Sequence, residues 1–115
     1  VIIGENTIIG DNIVFDNRGI INIGSCVNVG PNISIYTRGH AVNSPLFETK
    51  TRSVRIGNYS VLLSNNIILP GVSVEDSSIV YPGETVKHNT VKSTLPNGQK
   101  RTTMLLYSPS KPHSQ

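Results

Sequence analysis

Tryptophan is absent from this chain, phenylalanine occurs twice and cysteine once. With aromatic residues at 5% and hydrophobic residues at 37%, any core is built from small aliphatic side chains rather than from rings. The single cysteine, Cys26, excludes an internal disulfide. No apolar run is long enough to cross a bilayer, and nothing resembles a secretory leader, so a cytoplasmic setting is expected. Acidic residues are missing from the last part of the chain: all 7 precede Lys87, whereas Lys92, Lys100, Arg101 and Lys111 follow unopposed. Continuous helical stretches are lacking too. The 7 prolines and 10 glycines, with many Asn, Ser and Thr, break the chain into short Val and Ile runs, which predicts short strands and tight turns in one all-β domain.

What the chain does have is a beat of six. Ile3, Ile9 and Phe15, then Ile23, Val29 and Ile35, then Ile56, Leu62, Ile68, Val74, Val80 and Val86 fall on one register once two shifts of phase are allowed. At a hydrophobic background of 37% such a run arises by chance about once in a hundred thousand sequences. Glycine follows the register residue at Gly4, Gly10, Gly24, Gly30 and Gly57, and Asn6, Asn12 and Asn32 come two places later, where turns call for positive φ. Two residues before the register, Thr7, Val27, Ser60, Val72 and Ser78 suit the inside of a tight corner. A six-residue unit supplies one short strand and one turn and cannot bury its apolar face alone. Stacked coils can, and three units per coil close a triangular prism of about four coils. Periodicity leaves the hand of the coil open. The beat is already running at Val1, with no initiator Met, so an upstream segment is expected.

The beat fails once, over 35–52, where charge, proline and His40 appear. Gly39 is expected to let the chain leave the coil, Pro45 to stiffen the outward arm, and Leu46 with Phe47 to form an apolar foot. Arg38, Lys50, Arg52 and Arg55 bracket this loop, a cluster suited to a phosphorylated small molecule, acidic lipid or nucleic acid. No aromatic residues are interleaved with base-reading side chains, so nucleic acid is not an expected partner. The expected division is a β-helix over 1–93, carrying an excursion at about 36–55, and a partly disordered tail over 94–115 in which MLLY (104–107) could add one more strand.

The segments INIG (21–24), VGPNISIYTRGH (29–40), VRIGN (54–58) and ILPGVSV (68–74) resemble the hexapeptide-repeat acyltransferases, whose fold is a left-handed parallel β-helix. The nearest likeness is to the maltose, galactoside and polysaccharide O-acetyltransferases. That resemblance implies an acetyl-CoA-dependent O-acetyltransferase acting on a hydroxyl of a sugar or polysaccharide precursor, with no metal and no covalent intermediate. It implies His40 as general base, which suits the chemistry: an imidazole with pKa near ~6.5 can take the proton of an alcohol attacking a thioester. It further implies a homotrimer with active sites between subunits, acceptor contacts from Asp16 or Asn17, and coenzyme contacts from Leu63, Ser64, Tyr81, Lys87 and His88. The coenzyme segment departs from the family pattern. Val61 stands at a Trp position, Leu63 at a glycine, and Tyr81 with Pro82 at small groove residues.

Three other readings of the same prism stay open at this level. One is a non-catalytic solenoid used as a scaffold or to bind sugar. Another is an N-acyltransferase on an amino sugar. The third is a carbonic anhydrase of the left-handed β-helix type, which needs three zinc histidines. His40, His88 and His113 meet that number but not the spacing.

Overall fold

The computed structural model describes residues 1–40, 49–87, 90–94 and 100–104, with the backbone alone at 40, 90–94 and 100–104. The first coil comprises β1 (Ile2–Ile3), β2 (Ile8–Ile9) and β3 (Val14–Phe15), and the second β4 (Ile21–Ile23), β5 (Asn28–Val29) and β6 (Ser34–Ile35). Two strands of the excursion follow, β7 (Arg38–His40) and β8 (Thr49–Thr51). The third coil is β9 (Val54–Ile56), β10 (Val61–Leu62) and β11 (Ile67–Ile68), and the fourth β12 (Ser73–Val74), β13 (Ser78–Val80) and β14 (Thr85–Val86). Each strand pairs in parallel with its counterpart in the next coil, so the prism has three faces: β1-β4-β9-β12, then β2-β5-β10-β13, then β3-β6-β11-β14.

The register is the one the six-residue beat demands. Ile3, Ile23, Ile56 and Val74 stack on the first face. Ile9, Val29, Leu62 and Val80 stack on the second, and Phe15, Ile35, Ile68 and Val86 on the third. From the second coil onward all of these are buried, each contributing about 1.5–3 kcal/mol through lost apolar exposure. The first coil has a neighbour on one side only, and Ile3 there stays 44% exposed. The residues two before the register also face inward: Ile21, Val27, Ile33, Val54 and Val72 are buried, as are Ser60, Asn66 and Ser78. The buried hydroxyls are satisfied, with Ser60 Oγ and Ser78 Oγ donating to the Glu75 carbonyl at 2.9 and 2.8 Å.

Turns make the three edges of the prism. On the edge between the first and second faces, Asn6, Cys26, Tyr59 and Ser77 adopt positive φ; on the next edge Asn12, Asn32, Asn65 and Gly83 do so. Each is the third residue after an inward register residue. From the second coil onward its N–H donates to the coil before, as from Cys26 to the Glu5 carbonyl at 2.9 Å and from Tyr59 to the Ser25 carbonyl at 3.0 Å. Glycine beside the register has a different cause from the asparagines: a Cβ on Gly30 would run into the backbone carbonyl of Leu63 one coil above. The third edge, from the third face back to the first, breaks this uniformity, with Gly71 alone at positive φ among the described residues.

Beyond the fourth coil, β15 (Thr90–Thr94) and β16 (Lys100–Met104) form an antiparallel hairpin, and β16 pairs in parallel with β13. The basic run at Lys100 and Arg101 therefore extends the second face, and β15 straddles the expected boundary at residue 93. Of MLLY, Met104 ends β16 and the rest lies outside the described residues.

Candidate functional site

The two places where the chain exceeds six residues both fall on the third edge, one directly above the other. In the first coil the step from Phe15 to Ile23 contains two extra residues; in the second, Ile35 is followed by the excursion. Thr37, fully buried, joins them. Its Oγ1 donates to the Asp16 carbonyl at 2.5 Å and accepts from the Gly19 N–H at 2.8 Å, while its own N–H donates to Asp16 Oδ2 at 3.3 Å. Gly19 is required by close approach, since a Cβ there would lie 2.7 Å from Thr51 Cγ2 and 3.0 Å from Thr37 Cβ. The excursion closes at its base where the Arg52 N–H donates to the Thr37 carbonyl at 2.7 Å.

Asp16 is bound in a fork. Arg18 Nε donates to Oδ1 at 2.7 Å and a terminal guanidinium nitrogen to Oδ2 at 2.9 Å, with the Asp16 side chain 11% exposed and that of Arg18 55%. The Arg18 guanidinium first, and to a smaller degree the Thr37 N–H, hold the Asp16 carboxyl at about 2, below its ordinary 3.8, against the opposing pull of desolvation. Arg18 is held above its own usual value by the same pair.

The excursion leaves the coil as a two-stranded antiparallel ribbon in which Arg38 faces Thr51, Gly39 faces Lys50 and His40 faces Thr49. Gly39 does not perform the expected release by backbone freedom. It is absent from the positive-φ positions, and a Cβ on it would stand 3.7 Å from Pro70 Cγ, an ordinary contact. The ribbon rests on the third coil's corner, Pro70 and Gly71; a Cβ on Gly71 would lie 3.1 Å from Arg52 Cδ. Between the ribbon and the first-coil corner is a cavity of about 320 Å³ lined by Arg18, Arg38, Gly39 and Thr49. His40 is thus two residues beyond one lining residue and directly across from another. Residues 41–48, with the expected Pro45 arm and Leu46–Phe47 foot, lie outside the described residues.

Neither a family model nor a curated protein sequence matches the chain. Solved structures do. A maltose O-acetyltransferase from Clostridium difficile 630 is 28% identical, with a TM-score of 0.70 over 89% of this chain and 57% of its own. A hexapeptide-repeat acetyltransferase from Vibrio cholerae O1 biovar eltor, complexed with acetyl coenzyme A, is 26% identical, with a TM-score of 0.66 over 87% of this chain and 57% of its own. A galactoside acetyltransferase in complex with coenzyme A is 25% identical, with a TM-score of 0.57 over 84% of this chain and 54% of its own. The chain resembles the hexapeptide-repeat acyltransferases in fold as well as in motif. Its coils are left-handed, as the motifs implied and periodicity could not say. It spans a little over half the length of the solved acetyltransferases it matches.

Against the positions expected of a hexapeptide-repeat acyltransferase, the prism sorts the residues by edge. Asp16, Asn17, His40 and Lys87 lie on the third edge, while Leu63, Ser64 and Tyr81 lie on the second, in the third and fourth coils. Leu63 is 38% exposed, Ser64 and Tyr81 half-buried, Asn17 and Lys87 exposed. The Ser64 carbonyl accepts from the Gly83 N–H at 2.9 Å, and Tyr81 N–H donates to Glu84 Oε1 at 2.6 Å. Asn66, buried beneath them, donates to the Tyr81 and Glu84 carbonyls at 2.8 and 3.1 Å. His88 and His113 lie outside the described residues. Among the described residues no three His, Cys, Asp or Glu side chains gather as metal ligands, and no helix is long and apolar enough to cross a membrane. The basic cluster also divides: Arg55 turns along the first face to Asp76 at 3.2 Å, leaving Arg38, Lys50 and Arg52 with the excursion. Arg18, and Thr37 within the VGPNISIYTRGH motif, were given no role by the sequence, and both lie on this edge. The eight-residue step from Phe15 to Ile23 was the available signal, because an insertion one coil earlier on the same edge must stack against the excursion.

Proposed function

We propose that this chain carries the site of an acyl-CoA-dependent O-acetyltransferase whose acceptor is a sugar hydroxyl. His40 takes the proton from the hydroxyl as its oxygen attacks the thioester carbonyl; the new C–O bond forms, the C–S bond breaks, and the proton passes from the imidazole to the departing CoA thiolate. A backbone N–H steadies the oxyanion of the tetrahedral intermediate. Acetyl-CoA lies along the corner made by Leu63, Ser64 and Tyr81, with Lys87 and His88 toward its phosphates. The acceptor occupies the cavity beside Arg18, Arg38 and Thr49, with Asp16 and Asn17 at its far side. The observation that carries this reading is the position of His40 on the ribbon, across from Thr49 and two residues past Arg38, both of which line that cavity.

The division between edges supports a site shared by subunits. In one chain Leu63, Ser64 and Tyr81 are separated from His40 by the width of the third face, and of the coenzyme residues Lys87 shares the edge of His40. Three prisms packed side by side bring the second edge of one against the third edge of another, which joins the two sets in a homotrimer with three sites. The test is release of free thiol from acetyl-CoA with a panel of sugar acceptors. Activity is expected, and His40→Ala is expected to lower it by about 10²–10⁴-fold. Equal activity in that variant would overturn the general-base role, and an intact trimer that fails to bind coenzyme A would overturn the acyltransferase reading.

A further inference from the structure

Two guanidiniums stand among the described residues of the cavity wall. A guanidinium carries five N–H bonds and no acceptor, and two of the four described lining residues are Arg18 and Arg38. Arg18 is oriented in advance: its fork onto Asp16 fixes the plane of the group and leaves its other N–H bonds for a further partner. Asp16 is correspondingly committed, because both carboxylate oxygens receive Arg18 and Oδ2 also receives the Thr37 N–H. A neutral sugar presents hydroxyls that donate as well as accept, and it is served by carboxylates and amides more than by a row of guanidiniums. An acceptor-only group is what such a wall fits.

Charge around the prism is segregated in the same sense. Among the described residues, Glu5, Glu75 and Asp76 lie on the first edge and Asp11 and Glu84 on the second; Asp16 is the acid of the third. Against it the third edge carries Arg18, Arg38, Lys50, Arg52 and Lys87. Glu48 lies outside the described residues. The cavity, at about 320 Å³, has the scale of a single sugar ring rather than of a polymer groove.

We infer that the acceptor is an anionic sugar, its carboxylate or phosphate docked between Arg18 and Arg38 with the reacting hydroxyl turned toward His40. This rests on the acyl-transfer reading of the same edge. Specificity then comes from Arg38 and Arg18, and Asp16 acts through Arg18 as a positioning residue rather than by touching the sugar.

The test pairs glucose with glucuronic acid and with glucose 6-phosphate, in calorimetric binding and in thiol release at fixed acetyl-CoA. The charged sugars are expected to bind, and to be acetylated, at least about tenfold better than glucose. Arg38→Gln, at an exposed position, is expected to erase that ratio with an unchanged Tm and an unchanged KM for acetyl-CoA. Glucose served as well as its charged twins, or a ratio that survives Arg38→Gln, would overturn the inference. A rise confined to the KM for acetyl-CoA would overturn it as well, by assigning the guanidinium to the coenzyme's phosphates. Binding in His40→Ala separates the two readings: a charged-sugar preference retained there without turnover sustains this inference even where acyl transfer fails, and turnover without the preference overturns this inference alone.

Discussion

The first and third edges of the prism are built from the same chain by different means. On the first, four turns of one conformation stack, and each after the first passes its N–H to the carbonyl of the coil before it. On the third, that ladder is replaced by side chains: Thr37 takes over the bonds to Asp16 and Gly19, and Arg52 closes the excursion. A uniform edge commits its turn N–H groups to the stacking of one coil on the next. Giving up uniformity at one edge frees side chains to face a cavity while the other two hold the coil.

Substitutions at paired glycines would break the comparison most forcefully. Gly30→Val forces a side chain into the Leu63 carbonyl, a backbone atom that cannot step aside, and is expected to cost about 3 kcal/mol in urea unfolding. Gly39→Ala on the ribbon meets Pro70 at ordinary distance and is expected to stay within about 0.5 kcal/mol. Equal losses at the two glycines would mean that the third edge is packed as tightly as the others.

Thr37→Val comes next. The shape is kept, but the Asp16 carbonyl and Gly19 N–H lose their partner inside a buried site, with an expected cost of about 1–3 kcal/mol. Acyl transfer should fall in the same variant, whereas Ser60→Ala, which removes a buried hydroxyl bond on the first edge, should lower stability with turnover per folded molecule unchanged. The smallest effect is one of pH. Because the folded Asp16 carboxyl sits at about 2 against 3.8, its contribution is complete above the unfolded value and disappears as pH falls through about 2. Acid unfolding curves of the parent protein and Asp16→Asn should therefore diverge above this window and converge below it.

The repeat was legible almost to the residue, since Ile3, Ile23, Ile56 and Val74 and their counterparts stack as counted. The greater exposure of Ile3 was not legible, because Ile3 reads like Ile23 in sequence. The assignment of edges was legible in principle: counting turns in threes separates Leu63 from His40, yet a motif resemblance names residues without saying which corner each occupies. The Asp16–Arg18 fork was hidden for another reason. Acid and base two apart are common on any surface, and it is Thr37, brought in from the next coil, that commits the carboxylate.

The excursion also bears on how such a chain can change. The partners Ile23 and Ile56 are 33 residues apart in sequence, against 18 for Ile56 and Val74. Closing the longer loop costs only about half a kcal/mol more, because the entropy grows with the logarithm of length. Insertions and deletions at this corner are therefore nearly free to the fold, so a lineage can rebuild the wall of its cavity while the coils above and below keep their register.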